Sequence, residues 1–284
     1  MLPFSRQCWS AMSVIPSLPD PALRARDRRQ RVQAAETGMT VLKGLGQLGG
    51  RASLTHLAAH VDESPAKVHR YLVSLMEVGL VAQDAVSQQY YLALETLLLG
   101  LAAMRQADPI RLAEAALVRL REELEVTCFL AVMGNKGPTI VRFEEPGLPV
   151  TVNVRAGSVL PMLWSATGRV LLATLDEPGV RAQAQAELAA ATVEQRAMLD
   201  AEQPIAALQH SVLAQGCAVV RDTNLRGISA VAAALYDYNG RPCAVLTALG
   251  ATGGFDASPD GPVARAVCRE AQAISALLGH DASR

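Results

Sequence analysis

The stretch SPAKVHRYLVSLMEVGLV, from Ser64 to Val81, decides the fold of the N-terminal part of this 284-residue chain. Ser64 followed by Pro65 is typical of a helix start, because the hydroxyl can cap the helix and the first helical position needs no N–H group. Apolar residues then recur at helical spacing, at Val68, Leu72, Leu75 and Met76. The pattern predicts an amphipathic helix that ends near Gly79, a residue suited to a helix C-terminus.

Shorter elements surround this helix on both sides. Upstream, apolar residues on one helical face and a following Gly49-Gly50 pair predict a first helix, with Met39, Leu42, Leu45 and Leu48 as its buried side. Ser53 can cap a second helix. Downstream, Leu80-Val81 and Tyr90–Leu92 indicate two strands joined by a polar loop. Three helices followed by a β-hairpin predict a winged helix-turn-helix over residues 36–94.

The polar side of the third helix carries Lys67, His69 and Arg70, which favours contact with double-stranded DNA. Such a helix can enter the major groove while its apolar back packs on the other helices, and the hairpin can lie along the phosphates. The residues expected to contact DNA are Ser53, Ser64, Ala66, Lys67, His69, Arg70 and Gln88. The alternative is that the module serves only for dimerisation or for contacts with another protein.

Charge and composition are uneven along the chain. Residues 1–90 carry a net charge of +3 and the remainder carries −4, although the whole chain sums to −1. Residues 1–35, rich in Pro and Arg, are expected to form a flexible arm, which is either a solvated tail or a phosphate contact beside the DNA-binding domain. Residues 95–108 predict a very apolar linker helix, either a dimer seam or a surface that packs on the winged helix.

Residues 109–284 alternate between helical and strand patterns, which predicts an α+β domain with an antiparallel sheet flanked by helices. The predicted strands are Thr127–Val132, Thr139–Glu144, Val150–Val154, Gly216–Arg221, Ile228–Tyr236 and Ala244–Ala248. The predicted helices are one after Asp108-Pro109 that carries Leu112, Ala116, Leu120 and Leu124, and then Ala166–Leu175, Val193–Gln215 and Val263–Leu278. Asn239-Gly240 predicts a hairpin with a type I′ turn, because both residues tolerate a positive φ.

Four stretches in order resemble the IclR family of bacterial transcription regulators. They are VHRYLVSLMEVGLV (68–81), YYLALETLLLG (90–100), LPMLWSATGRVLLATL (160–175), and the glycines Gly216 and Gly227 ahead of DYNGRPCAVLTALG (237–250). The resemblance implies a winged helix-turn-helix, a linker helix and a GAF-like effector-binding domain. It also implies homodimers or dimers of dimers on palindromic operators. The sequence departs from the family at Pro65-Ala66-Lys67, where the family usually has Lys-Ser-Thr or similar, so Ala66 could offer a base only an apolar contact.

The resemblance also implies where an effector would bind. In relatives that bind small carboxylic acids, the N–H groups at a helix start join a few side chains on the strands. The corresponding positions here are Ala166, Thr167, Val220, Ala230, Thr247 and Leu249, with Met162 and Trp164 as further candidates. Trp164 could equally be a core residue. Since Thr247 alone keeps a hydroxyl among the four strand positions, the resemblance implies a larger, more apolar effector, such as an aromatic acid.

The sequence does not identify a side chain that would bind the carboxylate of an effector. The branch of the family that regulates aromatic-acid catabolism tends to have an arginine where Val159 stands. Arg142 or Arg155 could take that role, but both are better interpreted as solvated strand-edge residues.

The remaining chemistry-bearing residues predict no catalytic site, no metal site and no cofactor. The sequence has no GxSxG, HExxH or P-loop motif and no GxGxxG after a strand, and its histidines lack metal-ligand spacing. Its five cysteines have no CxxC pair, which favours reduced thiols in a cytoplasm, with Cys217 either a reactive thiol or a small core residue. No apolar run is long enough to span a membrane. The alternatives left open are a methyltransferase-like enzyme and a sensor that acts through a protein partner.

Overall fold

A computed structural model describes residues 32–147 and 154–281 of the chain. These residues form two compact units, with the division between Gln106 and Ala107, inside the segment expected to be a linker. Most of the predicted arm and of the strand predicted at Val150–Val154 lie outside the described residues.

The first unit contains four helices and a small sheet. The helices are α1 (Gln33–Gln47), α2 (Leu54–His60), α3 (Pro65–Glu77) and α4 (Leu94–Met104), and the strands are β1 (Arg51–Ala52), β2 (Val81–Gln83) and β3 (Tyr90–Leu92). The strands pair antiparallel in the order β1-β3-β2. Helix α1 begins within the segment expected to be an arm, and β1 is a strand that the sequence patterns did not predict.

Helix α3 has the ends that its sequence predicts. The Ser64 hydroxyl accepts a hydrogen bond from the Lys67 backbone N–H at 3.4 Å. At the other end Gly79 has a φ of +72°, and the N–H of Leu80 donates to the carbonyl of Leu75 at 3.0 Å. The apolar side of α3 is buried against α1 and α2 through Val68 and Leu72. On α1 the prediction was partly wrong, because Val41 is buried with Leu45 whereas Met39 is 45% exposed.

The second unit is built on a five-stranded antiparallel sheet. Its strands are β4 (Thr127–Gly134), β5 (Gly137–Glu144), β6 (Ala218–Arg221), β7 (Ile228–Tyr236) and β8 (Pro242–Ala251), in the order β5-β4-β8-β7-β6. Its helices are α5 (Pro109–Leu124), α6 (Ala166–Thr174), α7 (Pro178–Ala189), α8 (Val193–Arg196), α9 (Pro204–Gln215) and α10 (Pro262–Leu277). The predicted α+β fold class is confirmed.

Both faces of this sheet are covered, so the central strands are buried on both sides. Along β7, Ala230, Ala232 and Ala234 face the core that contains α6, whereas Val231 and Leu235 face the core that contains α5 and α10. The small side chains on the α6 side leave room between helix and sheet, and this is where the cavity described below lies.

Two local predictions in this unit were wrong. The helix predicted over Val193–Gln215 is two helices, α8 and α9, separated by a turn in which the Asp200 carboxylate accepts the N–H groups of Glu202 and Gln203. Helix α7 was not predicted at all. The hairpin at Asn239-Gly240 is present, but Gly240 alone of these two has a positive φ, so the turn is not type I′.

Across the described residues, no helix is long and apolar enough to cross a membrane.

Candidate functional site

The exposed side of α3 is the first candidate site. At 100° of rotation per residue, Ala66, Arg70 and Val73 stand at the centre of this side, with His69 and Lys67 on opposite flanks. Ala66, His69, Arg70 and Val73 are all exposed. One guanidinium, one imidazole and two apolar side chains therefore project from the helix, a combination able to contact phosphates, base edges and thymine methyl groups. The exposed carboxylate of Glu77 lies on the same side, at the C-terminal end of α3.

Lys67 differs from the expected unengaged cation. Its ammonium lies 2.6 Å from the carboxylate of Glu63, one helical turn earlier, and the side chain is only 36% exposed. The sequence analysis named Lys67 as a cation of the polar side and did not consider Glu63, which lies just before α3. Arg70 is consequently the stronger cation of this surface, because part of the charge of Lys67 is already compensated.

The two predicted serines lie at helix N-termini. The Ser53 hydroxyl accepts the N–H of His56 at 3.3 Å, as Ser64 does for Lys67. Each hydroxyl therefore holds the start of a helix, and its position near the dipole's positive end favours a nearby phosphate.

The wing, which is Gln83 at the end of β2 together with the loop 84–89 before β3, is held by its own side chains. The Asp84 carboxylate accepts the N–H groups of Val86 and Ser87 and the hydroxyl of Ser87. These hydrogen bonds, chiefly those from Ser87, hold the pKa of Asp84 below its usual range. The Gln88 amide donates to the carbonyl of Ala85 and accepts from Gln83, so its polar atoms are engaged within the wing.

A cation that the sequence analysis missed lies beside the wing. Because β1 pairs with β3, the Arg51 guanidinium reaches the wing, 3.9 Å from the Asp84 carboxylate and 5.1 Å from the ring centroid of Tyr91. No local pattern marks a two-residue strand, so only the folded chain brings Arg51 to this place.

The second candidate site is a cavity between α6 and the sheet. Six of the eight residues predicted to bind an effector line it: Ala166, Thr167, Val220, Ala230, Thr247 and Leu249. The predicted Met162 and Trp164 do not line it and are buried in the core behind it. Further lining residues that the sequence analysis did not name include Phe129, Leu160, Asn224, Leu225 and Ile228.

The walls of this cavity are apolar apart from a few neutral groups. The hydroxyls of Thr167 and Thr247 lie 2.9 Å apart and hydrogen-bond to each other. Ala166 and Thr167 occupy the first positions of α6, whose N–H groups have no partner within the helix. Among the described lining residues there is no Asp, Glu, Lys, Arg or His. With a volume of about 30 Å³, the cavity is far smaller than the 300–1,000 Å³ typical of small-molecule pockets.

The turn that precedes α6, Pro161–Ser165, depends on side chains from elsewhere. Both carboxylate oxygens of Glu187, on α7, accept backbone N–H groups, from Met162 at 2.7 Å and from Leu163 at 2.9 Å. The hydroxyl of Thr223, in the loop after β6, donates to the carbonyl of Trp164 at 2.6 Å. Buried backbone groups need such partners, so α7 and this loop determine where α6 begins.

Arg169 supplies a third contact to the same turn. Its guanidinium donates to the carbonyl of Leu163 at 2.8 Å and to that of Val219, on β6, at 3.4 Å. Burial lowers the pKa of Arg169 to about 10. Arg169 thereby ties the start of α6 to the sheet edge that forms one wall of the cavity.

Neither arginine considered for carboxylate recognition lines the cavity. Arg142 pairs with Glu114 on α5 at 3.0 Å and is half exposed, and Arg155 is also exposed. Both arginines are therefore solvated, as one interpretation expected; Arg142 lies on the edge strand β5, whereas Arg155 lies outside the strands. The described residues also contain no cluster of three or more side chains suited to a metal ion.

Replacing Glu187 with Ala is expected to lower the free energy of unfolding by about 2–3 kcal/mol, because two buried N–H groups lose a charged acceptor. Glu177→Ala is the matched control, since the Glu177 side chain at the start of α7 makes no capping hydrogen bond. Urea unfolding, monitored by circular dichroism, measures the free energy of unfolding of both variants. Equal stability of the two variants would contradict a structural role for the Glu187 carboxylate.

Comparisons with known proteins agree with the division of the chain into two units. The family description "IclR helix-turn-helix domain" matches residues 34–85, and "Bacterial transcriptional regulator IclR C-terminal" matches residues 101–276. The chain is 39% identical to the crystal structure of Pseudomonas aeruginosa HmgR, with a TM-score of 0.81 over 88% of this chain and 100% of that one.

Two curated relatives are more distant but cover most of the chain. The Pca regulon regulatory protein of Pseudomonas putida is 26% identical over 74% of this chain and 71% of its own length. The probable transcriptional regulator SauR of Cupriavidus necator is 26% identical over 75% and 84% respectively. With both of its units matched by the family descriptions, the chain belongs to the IclR family of transcriptional regulators.

Proposed function

We propose that this protein is a ligand-responsive regulator that binds an operator through α3 and controls the catabolism of a small, largely apolar organic acid, with aromatic acids as the first candidates. The observation that carries the proposal is the exposed surface of Ala66, His69, Arg70 and Val73 on a helix whose opposite face is fully buried. The relatives named above are regulators, so we do not propose the methyltransferase alternative. A regulator of this kind acts on DNA in the cytoplasm.

The contacts to DNA divide into two classes. Arg70 and His69 are the candidates for base edges in the major groove, and Ala66 and Val73 for thymine methyl groups. Ser53, Ser64 and Arg51 are the candidates for phosphates, as hydroxyls at helix starts and as a cation beside the wing. Gln88 is proposed to reach a phosphate through the second N–H of its side-chain amide, since the first donates to Ala85 and its backbone N–H donates to Asp84.

The effector is proposed to occupy the cavity between α6 and the sheet. Its carboxylate would accept the N–H groups of Ala166 and Thr167 at the start of α6, where the helix dipole favours a negative charge. The Thr167–Thr247 pair can break to give one donor and one acceptor. Because the cavity is small, binding requires the walls to separate, and a state with separated walls is what the effector would favour.

Assembly of two copies is proposed to use α4. None of the residues of α4 is buried, although it carries Leu94, Leu97, Leu98, Leu99, Leu101 and Met104. Leu94, Leu97, Leu98, Leu101 and Met104 fall on one side of the helix, whereas Thr96, on another side, donates its hydroxyl to the carbonyl of Leu80. A second copy of the same helix would bury this apolar side and set the distance between two recognition helices, as palindromic half-sites require.

Replacing Arg70 with Ala is expected to weaken operator binding by about tenfold or more, through the loss of base or phosphate contacts. Lys67→Ala is expected to have a smaller effect, because Lys67 is paired with Glu63. Fluorescence anisotropy over a salt titration measures both affinity and its salt dependence. Arg181→Ala, the same loss of charge in the second unit, is the control, and unchanged affinity of the Arg70 variant would contradict the proposed docking.

Replacing Leu101 with Glu is expected to shift the protein from dimer towards monomer, because a charge would stand in the buried seam. Leu99 lies on the opposite side of α4, so Leu99→Glu is the matched control. Analytical ultracentrifugation at several protein concentrations gives the proportions of monomer and dimer for each variant. Dissociation of both variants, or of neither, would argue against this side of α4 as the interface.

Thermal denaturation with a panel of acids is expected to show stabilisation by singly charged aromatic or branched aliphatic acids, since a ligand of the native state raises the melting temperature. The cavity variant Ala230→Leu should abolish the shift by filling the space that the ligand needs. Stabilisation by small doubly charged acids alone would contradict the apolar-pocket proposal.

A further inference from the structure

The loop between β6 and β7, residues 222–227, separates the cavity from solvent. Asn224 and Leu225 line the cavity, and both are exposed. Apart from the partly exposed Ile228, the other described lining residues are buried in the sheet, in α6 or in the segments before α6. With a volume of about 30 Å³ the cavity cannot hold an organic acid, so part of its wall must move. An exposed loop without regular structure is the part of the wall that moves most readily.

The two ends of this loop are fixed to the sheet. The Asp222 carboxylate accepts the N–H of Gly227 at 2.6 Å and the hydroxyl of Thr252, directly after β8, at 2.9 Å. The N–H of Thr252 donates to the carbonyl of Gly227 at 2.8 Å, and the N–H of Asp222 donates to the carbonyl of Ile228 at 3.0 Å. Because these contacts hold both ends, movement is confined to the tip of the loop, residues 223–226.

One hydrogen bond joins the tip of the loop to the turn before α6. The Thr223 hydroxyl donates to the buried carbonyl of Trp164 at 2.6 Å. Among the described residues, no other hydrogen bond links the loop to residues 161–165, and no other donor reaches this carbonyl. The nearby contact from Arg169 to the carbonyl of Val219, which also ties α6 to the sheet edge, is longer at 3.4 Å and therefore weaker. The Thr223–Trp164 bond is thus the strongest polar contact that holds the loop against the turn.

We propose that this hydrogen bond is a latch that keeps the cavity closed without effector, and that the effector binds the state in which Thr223 has released Trp164. The inference rests on the effector site proposed above and adds the residue that sets the affinity for the effector. When the binding-competent state is a minor one, the apparent dissociation constant is that of the open state divided by the open fraction. Weakening the latch raises the open fraction, and the effector then binds more tightly.

The sign of this effect distinguishes a latch from a residue that only supports the cavity. Loss of a supporting contact deforms the walls and weakens effector binding. Loss of the latch removes an interaction that is present only in the closed state, so it strengthens effector binding. Thr223 is accordingly a positioning residue, which acts through the loop and need not touch the effector.

The variants remove or retain one hydroxyl. Thr223→Val removes the donor and keeps the shape of the side chain, with Thr223→Ala as a second variant without the donor, whereas Thr223→Ser keeps the hydroxyl and should restore the latch. Thr96→Val is the matched control, because the hydroxyl of Thr96, in the first unit, also donates to a carbonyl distant in the sequence, that of Leu80, at 2.7 Å. Circular dichroism identifies any variant that fails to fold.

Hydrogen–deuterium exchange of the full chain tests the latch without any ligand. Peptides that cover residues 222–228 include the N–H of Ile228, which donates to the carbonyl of Leu225 at 3.2 Å. We expect this segment to exchange about fivefold faster in Thr223→Val than in the wild type, as the loss of one neutral hydrogen bond implies. Thr223→Ser and Thr96→Val should exchange at the wild-type rate. Equal exchange in Thr223→Val and the wild type would overturn the latch.

Isothermal titration calorimetry with benzoate, phenylacetate and 4-methylpentanoate tests the link to the effector. We expect Thr223→Val to bind the acids that the wild type binds about fivefold more tightly, with Thr223→Ser and Thr96→Val unchanged. Unchanged or weaker binding by Thr223→Val would overturn the latch and leave the proposed effector site standing. Binding of none of the acids by any form of the protein would overturn the effector site, and this inference with it.

Discussion

The carboxylate of Glu187 fixes the turn that precedes α6, and with it the start of the cavity between α6 and the sheet. The turn before α6 has no regular secondary structure, yet it is buried, so its backbone N–H and carbonyl groups need partners from outside the turn. Glu187 accepts two of the N–H groups, while Arg169 and Thr223 donate to two of the carbonyls. If this turn moved, the first N–H groups of α6 would move with it, and the proposed carboxylate site depends on their position.

The same contacts suggest how an effector could be sensed. Arg169 bonds both to the turn and to Val219 on β6, next to Val220 in the cavity wall. An effector that separates α6 from the sheet therefore acts on contacts that reach β6, α7 and the loop after β6. These contacts are discrete hydrogen bonds, which are either made or broken, and such elements suit a change between two states.

Several parts of the fold follow from local sequence alone. Ser64-Pro65 and Gly79 predict both ends of α3, because capping by a hydroxyl and a positive φ at glycine are properties of single residues. The third helix and the strands β2, β3 and β7 follow from apolar spacing. Helix α7 was missed because its sequence is rich in Ala and Gln and has a weak apolar pattern. The Lys67–Glu63 pair was missed because Glu63 lies before the N-terminus of α3, outside the helix pattern.

The sequence by itself determined the class of fold, the order of the helices and hairpin strands in the first unit, and six of the residues that line the cavity, because caps, periodicity and a resemblance to known regulators are all carried by short stretches. The tertiary structure alone decided that Arg51 stands beside the wing and that Glu187 holds the turn before α6. Each of these contacts joins elements far apart along the chain. No local pattern encodes such a pairing, since it arises only when burial of the apolar faces brings the strands and helices together.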